Sequence, residues 1–282
     1  METRLIDLHN DVITEVSSKR FLNYINRAKS AGVEVILVSV WTTKMQQPMQ
    51  EIKKYRQLID TVNAKNKTKL LLHIEDAWFI NEHNIEQLLE YKPFSIGLTW
   101  NEDNSLAGGA QSDGGLTQLG KTIAERLLAN GIVIDLAHLN RQSFSQVAKL
   151  TTAQGKKLFC SHTCFDDVNP NPRNLDRNQV QAIVDSGGVI GLTLVAGFLG
   201  NKRATIHDVY AHIMYFIENF GEDNIAIGTD FFGTVDLPRR LVKYGDFRRF
   251  KRFLVKQDFS NAVIDKIFYQ NANKFLSSYI QV

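Results

Sequence analysis

Eight short apolar runs rich in β-branched residues recur along this 282-residue chain, and most of the gaps between them are long enough for one helix. The runs span 4–11, 33–41, 70–75, 94–100, 131–138, 158–162, 188–195 and 224–230. Between them, apolar residues repeat at helical spacing over 52–62, 123–128, 180–184 and 206–220. Near-continuous apolar strands alternating with amphipathic helices imply a parallel sheet covered on both faces. Eight such units predict an α/β fold, a (β/α)8 TIM barrel, whose usual size is about 250 residues. A doubly wound open sheet is the competing architecture, but it gathers ligands at one switch point. The whole chain, 1–282, reads as one domain. Residues 246–280 are expected to form two closing helices, separated near Gln257–Ser260, that pack outside the barrel.

Side chains that bind metals stand at the C-terminal ends of four runs: His9 and Asp11, then Glu75, His138 and His162. A barrel brings all eight of those ends together, so dispersed ligands converge there. His9 and Asp11 are two residues apart and face one side of an extended strand. Imidazole and carboxylate suit zinc and its borderline neighbours. Asp230 ends the eighth run and also faces the mouth, where a carboxylate can ligate, cap a loop or take a proton from water. The last role is favoured beside a metal. His73 shares the face of Glu75 one layer deeper, as a hydrogen-bonded core residue. His83, His207 and His212 carry no ligand spacing and are expected at the surface. Cys160 and Cys164 flank His162, but neighbouring strand positions alternate between faces, so Cys160 is placed in the core.

Composition narrows the remaining classes. Net charge is only +3, and no run approaches the roughly 18 apolar residues of a membrane span. The first strand begins at once, without a signal-peptide stretch, so a cytoplasmic protein with no membrane partner is expected. The basic stretch 239–256 raises nucleic-acid binding, yet Phe247, Phe250, Phe253 and Leu254 interleave with the charges as on a solvated outer helix. No nucleic-acid partner is expected. The glycine-rich loop 101–115 should carry no regular structure and should cover the site as a mobile lid.

Taken together, Asp7-Leu-His-Asn-Asp11, Ile74-Glu75, Asp135-Leu-Ala-His138, Ser161-His162 and Gly228-Thr-Asp-Phe231 resemble the membrane dipeptidase (renal dipeptidase) family, in order along nearly the whole chain. Asn271-Ala-Asn273 is similar to that family's closing segment. The resemblance implies a binuclear zinc hydrolase on a (β/α)8 barrel. It implies that His9 and Asp11 bind one zinc ion, that His138 and His162 bind the other, and that Glu75 bridges them. It gives Asp230 the proton of the attacking water, and it gives Arg173 the grip on the free carboxylate of a dipeptide or similar small substrate. A bidentate guanidinium suits that task.

One departure stands out. The better-known members carry a histidine in a Leu-Thr-His-Asn motif after the fourth strand, whereas this chain reads Leu98-Thr-Trp100-Asn101. Indole offers one N–H and accepts no proton. Loss of a carbonyl-polarising donor costs on the order of a hundredfold in rate. Trp100 and Asn101 are therefore assigned to substrate contact, and Asp76 and Phe232 replace a common glycine and aspartate. The expected function is hydrolysis of dipeptides or small acylated amino acids. The alternatives are ester, lactone or phosphoester hydrolysis on the same metals, or a metal-binding homologue that has lost turnover. Oligomeric state is left open, with a homodimer among the choices.

Overall fold

In the computed structural model, which describes residues 3–201 and 203–280, all eight runs become strands of one closed parallel barrel in sequence order. They are β1 (Leu5–Asn10), β2 (Val33–Trp41), β3 (Lys69–Glu75), β4 (Ser95–Gly97), β5 (Val133–Asp135), β6 (Phe159–Thr163), β7 (Val189–Leu192) and β8 (Ile225–Ile227). β8 closes on β1 through Asp7 and Ile227. The longest ladder pairs β2 with β3 from Val35–Lys69 to Trp41–Glu75 without a shift.

Alternation divides the strand residues between two apolar layers. Ile6, Leu8, Val35, Leu37, Leu71, Val133, Phe159 and Val189 fill the barrel interior. Leu5, Ile36, Val38, Leu70, Leu72 and Ile190 face outward into the larger layer beneath the helices. That outer layer is covered by α1 (Val12–Glu15), α2 (Ser18–Ser30), α3 (Pro48–Asn63), α4 (Ile85–Glu90), α5 (Gln118–Ala129), α6 (Arg141–Ala153), α7 (Arg177–Asp185), α8 (Ala196–Leu199) and α9 (Ile206–Phe220). Side-chain caps start several of them. Thr117 and Asn140 accept the backbone N–H of Gly120 and Ser143, and Asp176 with Gln179 forms a reciprocal capping box. Cys160 and Cys164 are free thiols buried in the outer layer.

The closing segment differs from the expectation in its second half. α10 (Phe247–Lys256) is the outer helix that the sequence describes: Phe247, Phe250 and Leu254 are buried, and its arginines and lysines face water. After Gln257–Ser260, α11 (Asn261–Asp265), a π-helical turn (Lys266–Gln270) and α12 (Asn271–Leu276) follow without a break. Here Tyr269, Ala272, Phe275 and Leu276 belong to the interior cluster, so α12 seals the lower end of the barrel. Phe275 stacks on Phe159 at 5.2 Å, and Asn271 donates to the carbonyls of Glu222 and Ile225 at 2.7 and 2.8 Å. Short inner side chains such as Ala226 leave an open floor that rings from α12 fill.

Two further expectations are corrected. The 101–115 loop is fastened beside the mouth, and Asn101 is its single residue on the site cavity. Asn104 donates to Leu98 and Asp76 and accepts from Leu106 and Ala107, while Leu106 to Gly109 are buried. His83 and His207 are exposed, but His212 is fully buried. Its Nδ1 accepts the Phe165 N–H at 3.2 Å and its Nε2–H donates to Leu199 at 3.1 Å, which fixes a neutral tautomer.

Burial lowers the His212 imidazole to about 4, although Leu199 and Asp208 favour its charge. An unfolded histidine titrates near 6.5. Between those values the unfolded chain binds the extra proton, so His212's contribution is complete above pH 6.5 and is lost as pH falls towards 4. The loss is on the order of 3 kcal/mol. His212→Gln should therefore flatten the acid side of a plot of Tm against pH. Parallel acid limbs in the two proteins would exclude this residue as the source.

Candidate metal centre

His9 and His162 reach the mouth through matching irregularities. On β1, Asp7 pairs with Ile36 and Asn10 with Val38, so three steps on one strand oppose two on the other. On β6, Cys160 pairs with Ile190 and Thr163 with Leu192, the same mismatch. One extra residue in a strand is a β-bulge, and it turns two successive side chains to one face. Leu8 and His9 thus both point inward, as do Ser161 and His162. A Cβ on Gly191 would lie 1.8 Å from the Ser161 carbonyl oxygen, and one on Gly228 would lie 1.9 Å away. Only glycine lets the β6 bulge lean in. The His9 and His162 rings then meet at 3.7 Å.

Glu75 closes the regular strand β3, and its Oε1 lies 3.0, 3.6 and 3.8 Å from the Nε2 atoms of His138, His162 and His9. His9 Nε2 is 3.4 Å from Asp11 Oδ2 and 3.9 Å from Asp230 Oδ1. The backbone after β8 is tied to β1, with Asp230 N–H donating to His9 and Asp11 N–H to Phe231. His138 and Asp230 reach these places in left-handed conformations, φ 67° and 59°, each costing on the order of 1–2 kcal/mol. Gly233 packs on Asp230 and Asp11, since a Cβ there would lie 2.1 Å from Asp230 Oδ1 and 2.6 Å from Asp11 Oδ2.

Hydrogen bonds behind the histidines fix their tautomers. The Ser161 hydroxyl lies against Asp135 Oδ2, the acceptor to which it donates. Its oxygen then accepts from His162 Nδ1–H at 2.8 Å and His9 Nδ1–H at 3.3 Å. His138 Nδ1–H donates to Asn101 Oδ1 at 2.9 Å. All three Nε2 lone pairs therefore point into the cluster, and His138 and His162 approach there at 3.0 Å. Lone pairs facing one another and a carboxylate repel unless a proton or cation lies between them. Buried His9 Nε2, Asp11 Oδ2 and Glu75 Oε1 have no hydrogen-bond partner. This donor set fits divalent cations.

Electrostatics agree. Burial alone would raise the Glu75 carboxyl, but His138 and His9 hold it down at about 2. Burial opposes charge on His9, yet Asp11 and Glu75 raise it to about 10, so positive charge is welcome there. Burial and Arg173 lower His138 to about 4, which keeps it neutral and able to ligate. Burial and Asp11 push Asp230 well above the carboxylate range.

The predicted residues do not all converge equally. His9, Asp11, Glu75, His138, His162 and Asp230 form one cluster. Trp100 stacks over His138 at 6.1 Å and meets Trp41 at 5.4 Å, walling a cavity of about 330 Å3. Asn101 lines that cavity while holding His138 from behind. Arg173 is set apart: its buried guanidinium lies 5.3 Å from the Phe198 ring, and Phe198 rather than Arg173 lines the cavity. It donates to His162 O at 3.4 Å, and its Nε has no partner. Sequence reasoning gave no role to Asp135 or Ser161, although each stands two positions after an inward-facing residue, Val133 or Phe159. It also missed Trp41 and Phe198, whose apolar character reads as core. Asp76 adopts φ 65°, which explains why glycine suits that place; here Thr43 and Asn104 hold its carboxylate.

Comparison with known proteins adds independent support. An uncharacterized protein encoded in the pqqA 5′ region of Klebsiella pneumoniae is 31% identical over 190 residues, covering 63% of this chain and 69% of that protein. An uncharacterized dipeptidase of Schizosaccharomyces pombe is 28% identical over 52% of this chain, a stretch that spans only 36% of the yeast protein. Among solved structures, a metallopeptidase from Rhodobacter sphaeroides, liganded with a phosphinate mimic of L-Ala-D-Ala, superposes with a TM-score of 0.82. It has 18% identity and covers 99% of this chain and 100% of its own. A dipeptidase described as a metallopeptidase gives 0.86, with 18% identity and 99% of both chains covered. Residues 27–281 match the membrane dipeptidase family (peptidase family M19). With that match and the buried His, Asp and Glu cluster, this chain belongs to the membrane dipeptidase family and is a metal-dependent, dipeptidase-like hydrolase.

Proposed function

We propose that the chain cleaves the amide bond of a dipeptide or small acylated amino acid bearing a free carboxylate, using two zinc ions, in the cytoplasm. One observation carries the reading: three Nε2 lone pairs and Glu75 Oε1 converge where no protein hydrogen satisfies them. His9 and Asp11 would hold one ion, His138 and His162 the other, with Glu75 between. Such ions, when bound, lower the pKa of water towards 7 and polarise a carbonyl oxygen. The chain's own groups do the rest. Asp230, beside Asp11 and His9, accepts a proton from the attacking water and returns it to the leaving amine. Trp41, Trp100 and Phe198 exclude solvent and hold the substrate against the cluster. Arg173 takes the substrate carboxylate, an anion that would complete its unmatched guanidinium.

Metal content per chain, measured together with hydrolysis of mixed L,L and L,D dipeptides, tests the reading. Two ions with cleavage are expected. Two ions without cleavage would move the substrate to esters or lactones and give Trp100 the blame. No bound metal after zinc is supplied would overturn the proposal. Asp230→Asn should keep both ions while kcat falls on the order of 10²–10⁴-fold; loss of an ion would make Asp230 a ligand instead. Arg173→Ala should raise KM for a free-carboxylate dipeptide by roughly 10- to 100-fold, the worth of a hydrogen bond to a charged group. The amidated dipeptide should scarcely respond. An equal effect on both would remove Arg173 from carboxylate recognition.

A further inference from the structure

Beside the metal cavity lies a second, larger groove of about 800 Å3. Glu15, Phe232 and Thr234 line both, so the two are neighbours across one thin wall. The groove is apolar: Val16, Tyr24, Phe231, Phe232, Val235 and Val242 face it. Val235 is 96% exposed, Val242 50% and Phe232 39%. Large apolar side chains gathered at one exposed place mark a binding surface, whereas scattered ones do not. The wall is set by Phe232, whose left-handed backbone (φ 74°) and edge-on contact with Tyr24 at 5.0 Å hold its ring between the two spaces.

Charge is distributed unevenly along the groove. Arg27, Lys243 and Arg248 border it, and Glu15 is the single acidic residue among its lining, at the metal end. Arg248 is tethered through a 3.1 Å donation to Ser30 O. An apolar trough that starts at the catalytic cavity and ends among cations fits one kind of occupant.

We infer that this groove receives the acyl part of the substrate, an apolar chain longer than an amino-acid side chain that ends in an anionic group. The assignment deepens the hydrolase reading and rests on it: the scissile amide lies at the metal cluster, the chain passes Phe232, and the distal anion meets Arg248 and its neighbours. Substrate selection then depends on acyl length and on a second negative charge far from the reacting bond.

Calorimetric binding to the zinc-loaded protein tests this without turnover, using butanedioate, decanoate and decanedioate as probes. Decanedioate should bind at least tenfold more tightly than butanedioate, because each buried methylene adds affinity. It should also bind severalfold more tightly than decanoate. Val235→Asp should weaken both ten-carbon acids about tenfold and leave hydrolysis of a short dipeptide unchanged. Arg248→Glu should erase the difference between decanedioate and decanoate. Affinity independent of chain length, or indifferent to Val235→Asp, would overturn the assignment. So would light scattering that shows a dimer dissociated by Val235→Asp, since the groove would then be covered by a second copy. Dipeptide cleavage without length dependence would remove the groove alone. Length-dependent binding without any amide cleavage would remove the amide-cleaving reading and keep the groove.

Discussion

The geometry of the cluster depends on one hydroxyl. Ser161 gives its proton to Asp135 and receives one from each of His9 and His162, so two imidazoles from different strands are fixed in the same tautomer by one atom. Asp135 is itself held by the N–H groups of Ser161 and Ala137, at 2.9 and 3.0 Å. A carboxylate so anchored orients the hydroxyl, the hydroxyl orients the rings, and the rings present lone pairs. Such supporting groups commonly matter nearly as much as ligands themselves. Below them His73, bonded to Ser95 at 2.9 Å and 3.5 Å from Asp135, closes a polar layer above the apolar interior.

The contrast between these layers also explains how the barrel tolerates so many buried polar groups. Its lower interior is aliphatic and aromatic and is sealed by α12. Its upper interior is polar, with most groups paired by another group of the chain or aimed at the cluster, although buried Ser39 Oγ and Trp41 Nε1 have no partner. Of the seven left-handed non-glycine residues among the described residues, four, Asp76, His138, Asp230 and Phe232, stand at the same upper end. Non-glycine residues persist in that region when surrounding contacts over-determine them.

Much of this was legible in the sequence because the barrel has a strong periodic signature and its chemistry occupies defined strand ends. His9, Asp11, Glu75, His138, His162 and Asp230 could each be read from position alone. What escaped was set by contacts that periodicity does not encode. His212 lies on a helix with no ligand spacing, yet it is buried because two backbone groups need its nitrogens. The inward turn of α12 depends on the free volume left by Ala226 and its neighbours, and no local pattern reports such a volume. Arg173 owes its assignment to the family resemblance, and nothing in its local pattern marks it as buried. Its burial against Phe198 requires a partner 25 positions away in sequence.

The two bulges have a consequence for how such a site can change. Strand phase is binary, so no substitution moves a side chain from the inner to the outer face; only an inserted or deleted residue does. Removing one residue between Asp7 and Asn10 would abolish the bulge and leave one inward side chain where Leu8 and His9 now supply two. The same deletion in β6 would expel Ser161 or His162. The ligand layer is therefore separable from the barrel that carries it. Its gain or loss is a matter of chain length measured in single residues, within a fold whose apolar pattern stays the same.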